Sequence, residues 1–178
     1  MNQVNHDKRK KIVLALILAT IIVIITYLYN NYIKDSEPIA KNGFYFNTVI
    51  AIQLNDTTDE ALIDGCFALA DTYEHYFSRT LEGSDIYQIN HADGAPVEVH
   101  DETAELIRAG IKYGELSDGS FDITIGALTD LWDIPNNTGD IPDEAAIRKA
   151  VDTVDYTQIL VEGNSVTMKD PDAKLDLG

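Results

Sequence analysis

The sequence predicts an α+β domain carried behind a single membrane-spanning helix, and three observations make that prediction. A basic cluster, Lys8 to Lys11, precedes 18 residues without a charge, Ile12 to Tyr29, enough to cross roughly 30 Å of hydrocarbon as a helix. From residue 44 onward, strand-like and helix-like patterns mix without the regular βαβ cadence of a parallel sheet. Residues 35–178, 144 in number, are enough for one domain with its own core.

The apolar run has Tyr27, Tyr29 and Tyr32 at its far end, where an interfacial aromatic belt belongs. The basic side is expected to stay cytoplasmic, placing the rest outside the cell membrane as a single-pass protein. A cleaved signal peptide is the alternative, but the run is long and no small-x-small site follows promptly. A buried core helix would need apolar surroundings on every side. No Cys follows the run to carry a lipid. Residues 1–34 are therefore read as basic stub and anchor, and 35–43 as a linker, with Ser, Pro and charges ahead of Gly43.

Residues 35–178 carry 8 Lys/Arg against 29 Asp/Glu. Phosphate backbones need basic surfaces, so nucleic acid is excluded as a partner. The charge suits the solubility of an exported domain.

Phe44 to Leu54 is aromatic and β-branched with partial alternation, which predicts a strand. Thr57 and Thr58 offer N-caps to a helix with Asp59 and Glu60 in its first turn. Leu62, Cys66, Leu69 and Tyr73 form its apolar stripe to about Phe77, and Cys66 reads as a small buried residue. It is the single cysteine, so neither a disulfide framework nor a cysteine zinc site is expected. Pro96 to Val99 reads as a short strand. Asp101 caps a second helix with Leu106, Ile107, Ile111 and Tyr113 on one face, ending near Ser117 with Gly119 as stop signal. Asp143 caps a third helix to about Val151, and Ile159–Val161 with Ser165–Met168 form a hairpin around Gly163-Asn164.

Three polar stretches stand apart. In S-R-T-L-E-G-S-D-I-Y-Q-I-N (78–90), residue chemistry favours a capped turn and short helix: Ser84 at the N-cap, Asp85 in the first turn, Ile86 and Ile89 inward. In S-D-G-S-F-D-I-T-I-G-A-L-T-D-L-W (117–132), Phe121, Ile123 and Ile125 alternate with Asp122 and Thr124 between two glycines. That segment, with one apolar and one polar face, suits a ligand with donors and acceptors, and Trp132 either stacks on a ring or fills the core. In K-L-D-L-G (174–178), a carboxylate sits between two leucines, either a satisfied structural acid or a site residue. Dinucleotide, P-loop, nucleophile-elbow and zincin motifs are absent. His75, His91 and His100 lack paired spacing, which argues against a histidine metal site.

These segments, in this order, resemble the ApbE family of flavin transferases over roughly residues 44–178. F-N-T-V (46–49) is similar to the family's M-G-T or M-D-T strand. Residues 78–90 resemble its S-T-Y-x-P-x-S-E-I-x-x-L-N segment, and 117–132 its S-G-G-A-F-D-x-T-V-G-P-L-V-x-L-W signature. K-L-D-L-G matches the opening of L-D-L-G-G-I-A-K-G.

The resemblance implies an enzyme that splits FAD, passes FMN to a Thr or Ser hydroxyl of an acceptor protein and releases AMP, with Mg²⁺ neutralising the diphosphate. Ser120, Phe121, Asp122 and Asp176 would then contact FAD, Phe46 would stand where the family has a flavin-contacting Met, and Thr80 where many members have an aromatic. No catalytic residue is implied within the chain. Magnesium ligands are expected mainly beyond Gly178, which implies an N-terminal half, inactive by itself. Subunits of Rnf- or Nqr-type redox complexes are the acceptors the resemblance suggests. A non-catalytic flavin-binding or scaffolding protein, and an unrelated acidic interaction domain, are the competing readings; Thr80 favours the former. Asp118 for Gly and Ala127 for Pro are further departures.

Overall fold

Residues 2–30, 38–55, 57 and 59–178 are described in a computed structural model, with side chains from Lys10 onward. They fall into two compact units, one of 1–42 with 51–63 and one of 43–50 with 64–178.

The first unit begins with α1 (Asn2–Leu28). Lys10–Leu28 is 19 residues of mean hydropathy 2.6, long and apolar enough to cross a membrane by length and composition. Every side chain from Lys10 to Asn30 is exposed, so this is not a core helix. Residues 31–37, which include the first three of the expected linker (35–43), lie outside the described residues, and β1 (Ile39–Tyr45) takes up most of the rest of it. With β2 (Thr48–Leu54) it makes a two-stranded sheet. The single strand expected over 44–54 is thus corrected to a hairpin. Its turn falls at Phe46-Asn47, both at positive φ (53° and 56°), the geometry of a two-residue hairpin turn. Asn tolerates that region and Phe does not, which is why the turn carries no glycine signal.

α2 (Glu60–Phe77) starts where Asp59 accepts from Ala61 N at 3.0 Å, and Thr57 Oγ1 accepts from Asp59 N at 3.0 Å. Thr58, the other expected cap, lies outside the described residues. The helix ends at Phe77 as its periodicity predicts, but its buried stripe is displaced by one residue. Leu62, Cys66 and Leu69 are exposed, while Ile63 is buried and Phe67, Ala70 and Phe77 are partly so. Both stripes are apolar, and helical spacing by itself does not choose between them. The ring of Phe67 decides: it stacks on Tyr45 at 5.7 Å and lies over Gly43, where a Cβ would sit 2.7 Å from it.

In the second unit, α3 (Asp85–Asn90) has Ser84 as its N-cap, accepting from Tyr87 N at 3.3 Å, with Ile86 and Ile89 buried as expected and Asp85 of the first turn buried as well. The Asp85 carboxylate receives His100 N at 2.9 Å, His100 Nδ1 at 2.9 Å and Thr103 Oγ1 at 2.5 Å, so a buried acid is fully satisfied. It thereby fastens α3 to α4 (Asp101–Leu116), whose N-cap is His100 rather than Asp101. α4 ends at Ser117, and Gly119 N donates to Gly114 O at 3.0 Å in a left-handed terminus.

The expected stripe of α4 is half corrected. Ile107 and Ile111 face the core, but Leu106 and Tyr113 are exposed. The closest contacts are made at Gly110 and Gly114, where an added Cβ would meet Ile123 at 2.6 Å and Tyr156 at 2.7 Å. A face defined by missing side chains leaves no mark on hydrophobic periodicity.

β3 (Val97–Glu98), β4 (Ile159–Glu162) and β5 (Ser165–Met168) form an antiparallel sheet ordered β3-β5-β4, with Val166 opposite both Val97 and Val161. α5 (Gly126–Trp132) and α6 (Glu144–Val151, N-cap Asp143) pack together beside it. Ile86, Ile107, Val166 and Leu175 are fully buried in one cluster, each contributing about 1.5–3 kcal/mol of transfer free energy. The class is α+β, as predicted.

Candidate functional site

The three polar stretches converge on one buried residue, Leu175. Its N–H donates to Asn90 Oδ1 at 2.7 Å and its C=O accepts from Asn90 Nδ2 at 2.9 Å, so an amide side chain pairs with the backbone as a strand would. On either side of Leu175, Gly126 N donates to Lys174 O and Asp176 N to Ile123 O, both at 2.9 Å. Ile125 and Lys174 thus form a parallel bridge. An added Cβ at Gly126 would lie 2.7 Å from Lys174 O, so close approach requires glycine there.

The alternation at 121–125 does not give one apolar and one polar face, because the segment is a turn. Phe121 and Ile125 are exposed, whereas Ile123 and Thr124 are buried. Asp122 causes this: Oδ1 accepts from Thr124 N (2.8 Å) and Thr124 Oγ1 (2.6 Å), and Oδ2 from Tyr156 N (2.9 Å). Thr124 Oγ1 in turn accepts from Asp155 N at 2.8 Å. Short-range capping of the backbone by Asp and Thr wins over strand periodicity. Asp122→Asn leaves either the Thr124 pair or Tyr156 N facing an NH₂ group, with an expected loss of about 1–3 kcal/mol. A fall in melting temperature of several degrees checks this; an unchanged melt excludes it.

A cleft of about 340 Å³ opens beside this junction, at the small end of ligand-pocket sizes. Phe46, Thr80 and Asp176 line it, together with Phe77, Arg79 and Leu106. Phe46 sits there at φ 53°, its N–H held by Glu74 Oε1 at 3.0 Å. A bulky residue in the left-handed region costs of order 1 kcal/mol or more and persists where its surroundings over-determine it. Thr80 has no ring, and the aromatic surface of the cleft comes from Phe46 and Phe77.

Ser120, Phe121 and Asp122 do not line this cleft. Ser120 is exposed, and Phe121 meets Tyr113 edge-on at 6.3 Å in a separate apolar patch. Trp132 is half-buried on α5 and, among the described residues, pairs with no other ring. Asp118 adopts φ 53°, the conformation the family's glycine would favour, and Ala127 lies in the first turn of α5, where proline is tolerated.

Sequence reasoning missed a charge network at the cleft wall. Arg79 pairs through Nη1 with Asp130, and its Nε lies 3.3 Å from Asp176 Oδ2. Lys174 Nζ approaches Asp130 at 2.8 Å. Burial pushes the Asp130 carboxyl up, but hydrogen bonds and charge from Lys174 and Arg79 outweigh it and hold the group below its ordinary range. These partners are 51 and 44 residues apart, so no local pattern signals them. Among the described residues no three His, Cys, Asp or Glu side chains gather to hold a metal ion. The described residues do not fit a magnesium site.

A family model, the ApbE family, matches residues 46–178. A FAD:protein FMN transferase of Klebsiella pneumoniae is 32% identical over 123 residues, covering 67% of this chain and 39% of its own. One from Treponema pallidum is 26% identical over 126 residues, covering 66% and 35%. The solved ApbE protein of Thermotoga maritima superposes with a TM-score of 0.70 at 26% identity, over 79% of this chain and 47% of that one. The chain thus spans well under half the length of those curated relatives and about half of that structure. With a family model matched over residues 46–178 and the fold shared with a solved ApbE protein, the chain belongs to the ApbE family.

Proposed function

We propose that this chain forms part of an FAD:protein FMN transferase, and that its cleft receives part of FAD. The observation that carries the reading is the junction at Leu175. There, three sequence-distant motifs meet, and two of them set Asp176 and Thr80 at one opening beside the strained Phe46 of the hairpin turn. A flat ring packs against Phe46 and Phe77, while Asp176 and the Ser78–Thr80 turn offer polar contacts at its edge. In the reaction, a Thr or Ser oxygen of the acceptor attacks the phosphorus on the FMN side. The bond to the AMP oxygen breaks, AMP leaves with that electron pair, and the hydroxyl proton is lost to a base that no described residue is assigned to be.

Mg²⁺ belongs to this reading through the family resemblance alone. In this reading α1, long and apolar enough to cross a membrane, is the anchor with its basic side cytoplasmic, and the domain faces exported acceptors such as subunits of Rnf- or Nqr-type complexes. Because the chain spans 39% and 35% of the two curated relatives, the 178 residues alone are expected not to transfer FMN.

Incubating the natural full-length protein with FAD, Mg²⁺ and a Thr-bearing acceptor is expected to give an acceptor that fluoresces on a denaturing gel. FAD binding with no labelled acceptor would instead favour a non-catalytic flavin-binding protein, the reading that Thr80 supports. Labelling by the 178-residue chain alone would overturn the expectation of inactivity.

A further inference from the structure

We infer that Arg79 is the residue by which the cleft reads a phosphate of its ligand, exchanging Asp176 for a phosphoryl oxygen while it stays on Asp130. The inference rests on reading the cleft as an FAD site and adds the element that discriminates phosphorylated from unphosphorylated flavin. Arg79 is the one cation among the described residues lining the cleft, in a chain of formal net charge −17. A phosphate entering beside Asp176 is repelled unless this guanidinium meets it.

The geometry lets it do so. The Asp176 contact is a lone Nε approach at 3.3 Å, and Nη2 makes no hydrogen bond among the described residues, so donors of the planar fork remain open. Asp176 is not orphaned when Arg79 turns, since its Oδ1 accepts from Gly178 N at 3.1 Å. Asp130 likewise keeps Lys174 at 2.8 Å. Arg79 thus rests on two carboxylates, one of which, Asp130, has a second cation to hold it. Asp176 is the partner that a phosphate displaces.

Flavin binding to the natural full-length protein, followed by fluorescence quenching with FAD, FMN and riboflavin as probes, tests this. Arg79→Gln is expected to weaken FAD and FMN by tenfold or more and to leave riboflavin unchanged, since a charge-assisted phosphate contact is lost. Arg79→Lys should recover part of the loss, because the charge returns without the fork. Asp176→Asn should tighten FAD relative to riboflavin by removing the competing carboxylate, and it decides the matter if Arg79→Gln does not fold. Equal weakening of FAD and riboflavin in Arg79→Gln, or a lower FAD-to-riboflavin preference in Asp176→Asn, would overturn the inference and leave the flavin site standing. Riboflavin and FAD both failing to bind the unaltered protein would overturn the site and the inference together.

Discussion

Replacing Asn90 by leucine is expected to lower the stability of the second unit by about 2–4 kcal/mol, because two backbone groups of a fully buried residue lose their partners at once. The leucine is close in volume, so the loss is one of hydrogen bonding rather than packing. Asn90→Asp is the informative companion. It keeps an acceptor for Leu175 N but turns a carboxylate oxygen toward Leu175 O, and should cost nearly as much at neutral pH. Urea unfolding followed by circular dichroism measures both, and a midpoint within error of the parent would show that Asn90 does not hold the junction. Flavin binding should fall along with stability, since Leu175 carries Asp176 and Leu177 into the cleft wall.

Gly126→Ala is the second large effect, an expected loss of about 1–3 kcal/mol for overpacking in addition to weakening the Gly126–Lys174 hydrogen bond. The new methyl would stand 2.7 Å from Lys174 O and 2.9 Å from Leu175 O. Both obstacles are backbone, so nothing flexible is there to yield, and the 123–126 and 174–176 segments must separate. Separation moves Asp176 and Lys174 relative to Arg79 and Asp130, and the cleft should lose affinity for FAD beyond what instability explains. Gly65→Ala is the control. It lies within α2 with nothing inside 4 Å of the added methyl, and should be neutral or stabilising by up to about 1 kcal/mol. Equal melting temperatures for the two variants would refute the close approach at Gly126.

Legibility in the sequence followed the range of the physics. Capping is local, so Ser84 before Asp85, Asp143 before α6 and Gly119 after α4 were all readable from their neighbours. The hairpin around Gly163-Asn164 was readable for the same reason. Signals failed where two local rules competed. At 121–125 alternation pointed to one apolar and one polar face, but the Asp122 and Thr124 side chains bonded the backbone first. At 44–54 a β-rich run hid a turn, because a strained Phe46 stands where a glycine would have announced it. On α2 the periodicity was right and its phase was not, since Phe67 rather than Leu69 found a ring to stack on.

Of the site, the motifs were visible one by one, and their resemblance to the ApbE family pointed to Phe46, Thr80 and Asp176, which do share a cleft. The same motif that named Ser120, Phe121 and Asp122 leaves those three outside the cleft, with the carboxylate of Asp122 committed to Thr124 and Tyr156.

What the sequence determined by itself is what depends on composition and near neighbours: one helix apolar enough for a membrane, an acidic α+β domain, and the helix caps and hairpin that punctuate it. Only the tertiary structure decided that Asn90, Gly126 and Leu175 meet, and that Arg79 stands between Asp130 and Asp176. Such contacts join residues dozens of positions apart, and they form because each satisfies a buried backbone amide or pairs a charge at the cleft wall. That requirement belongs to the folded chain as a whole.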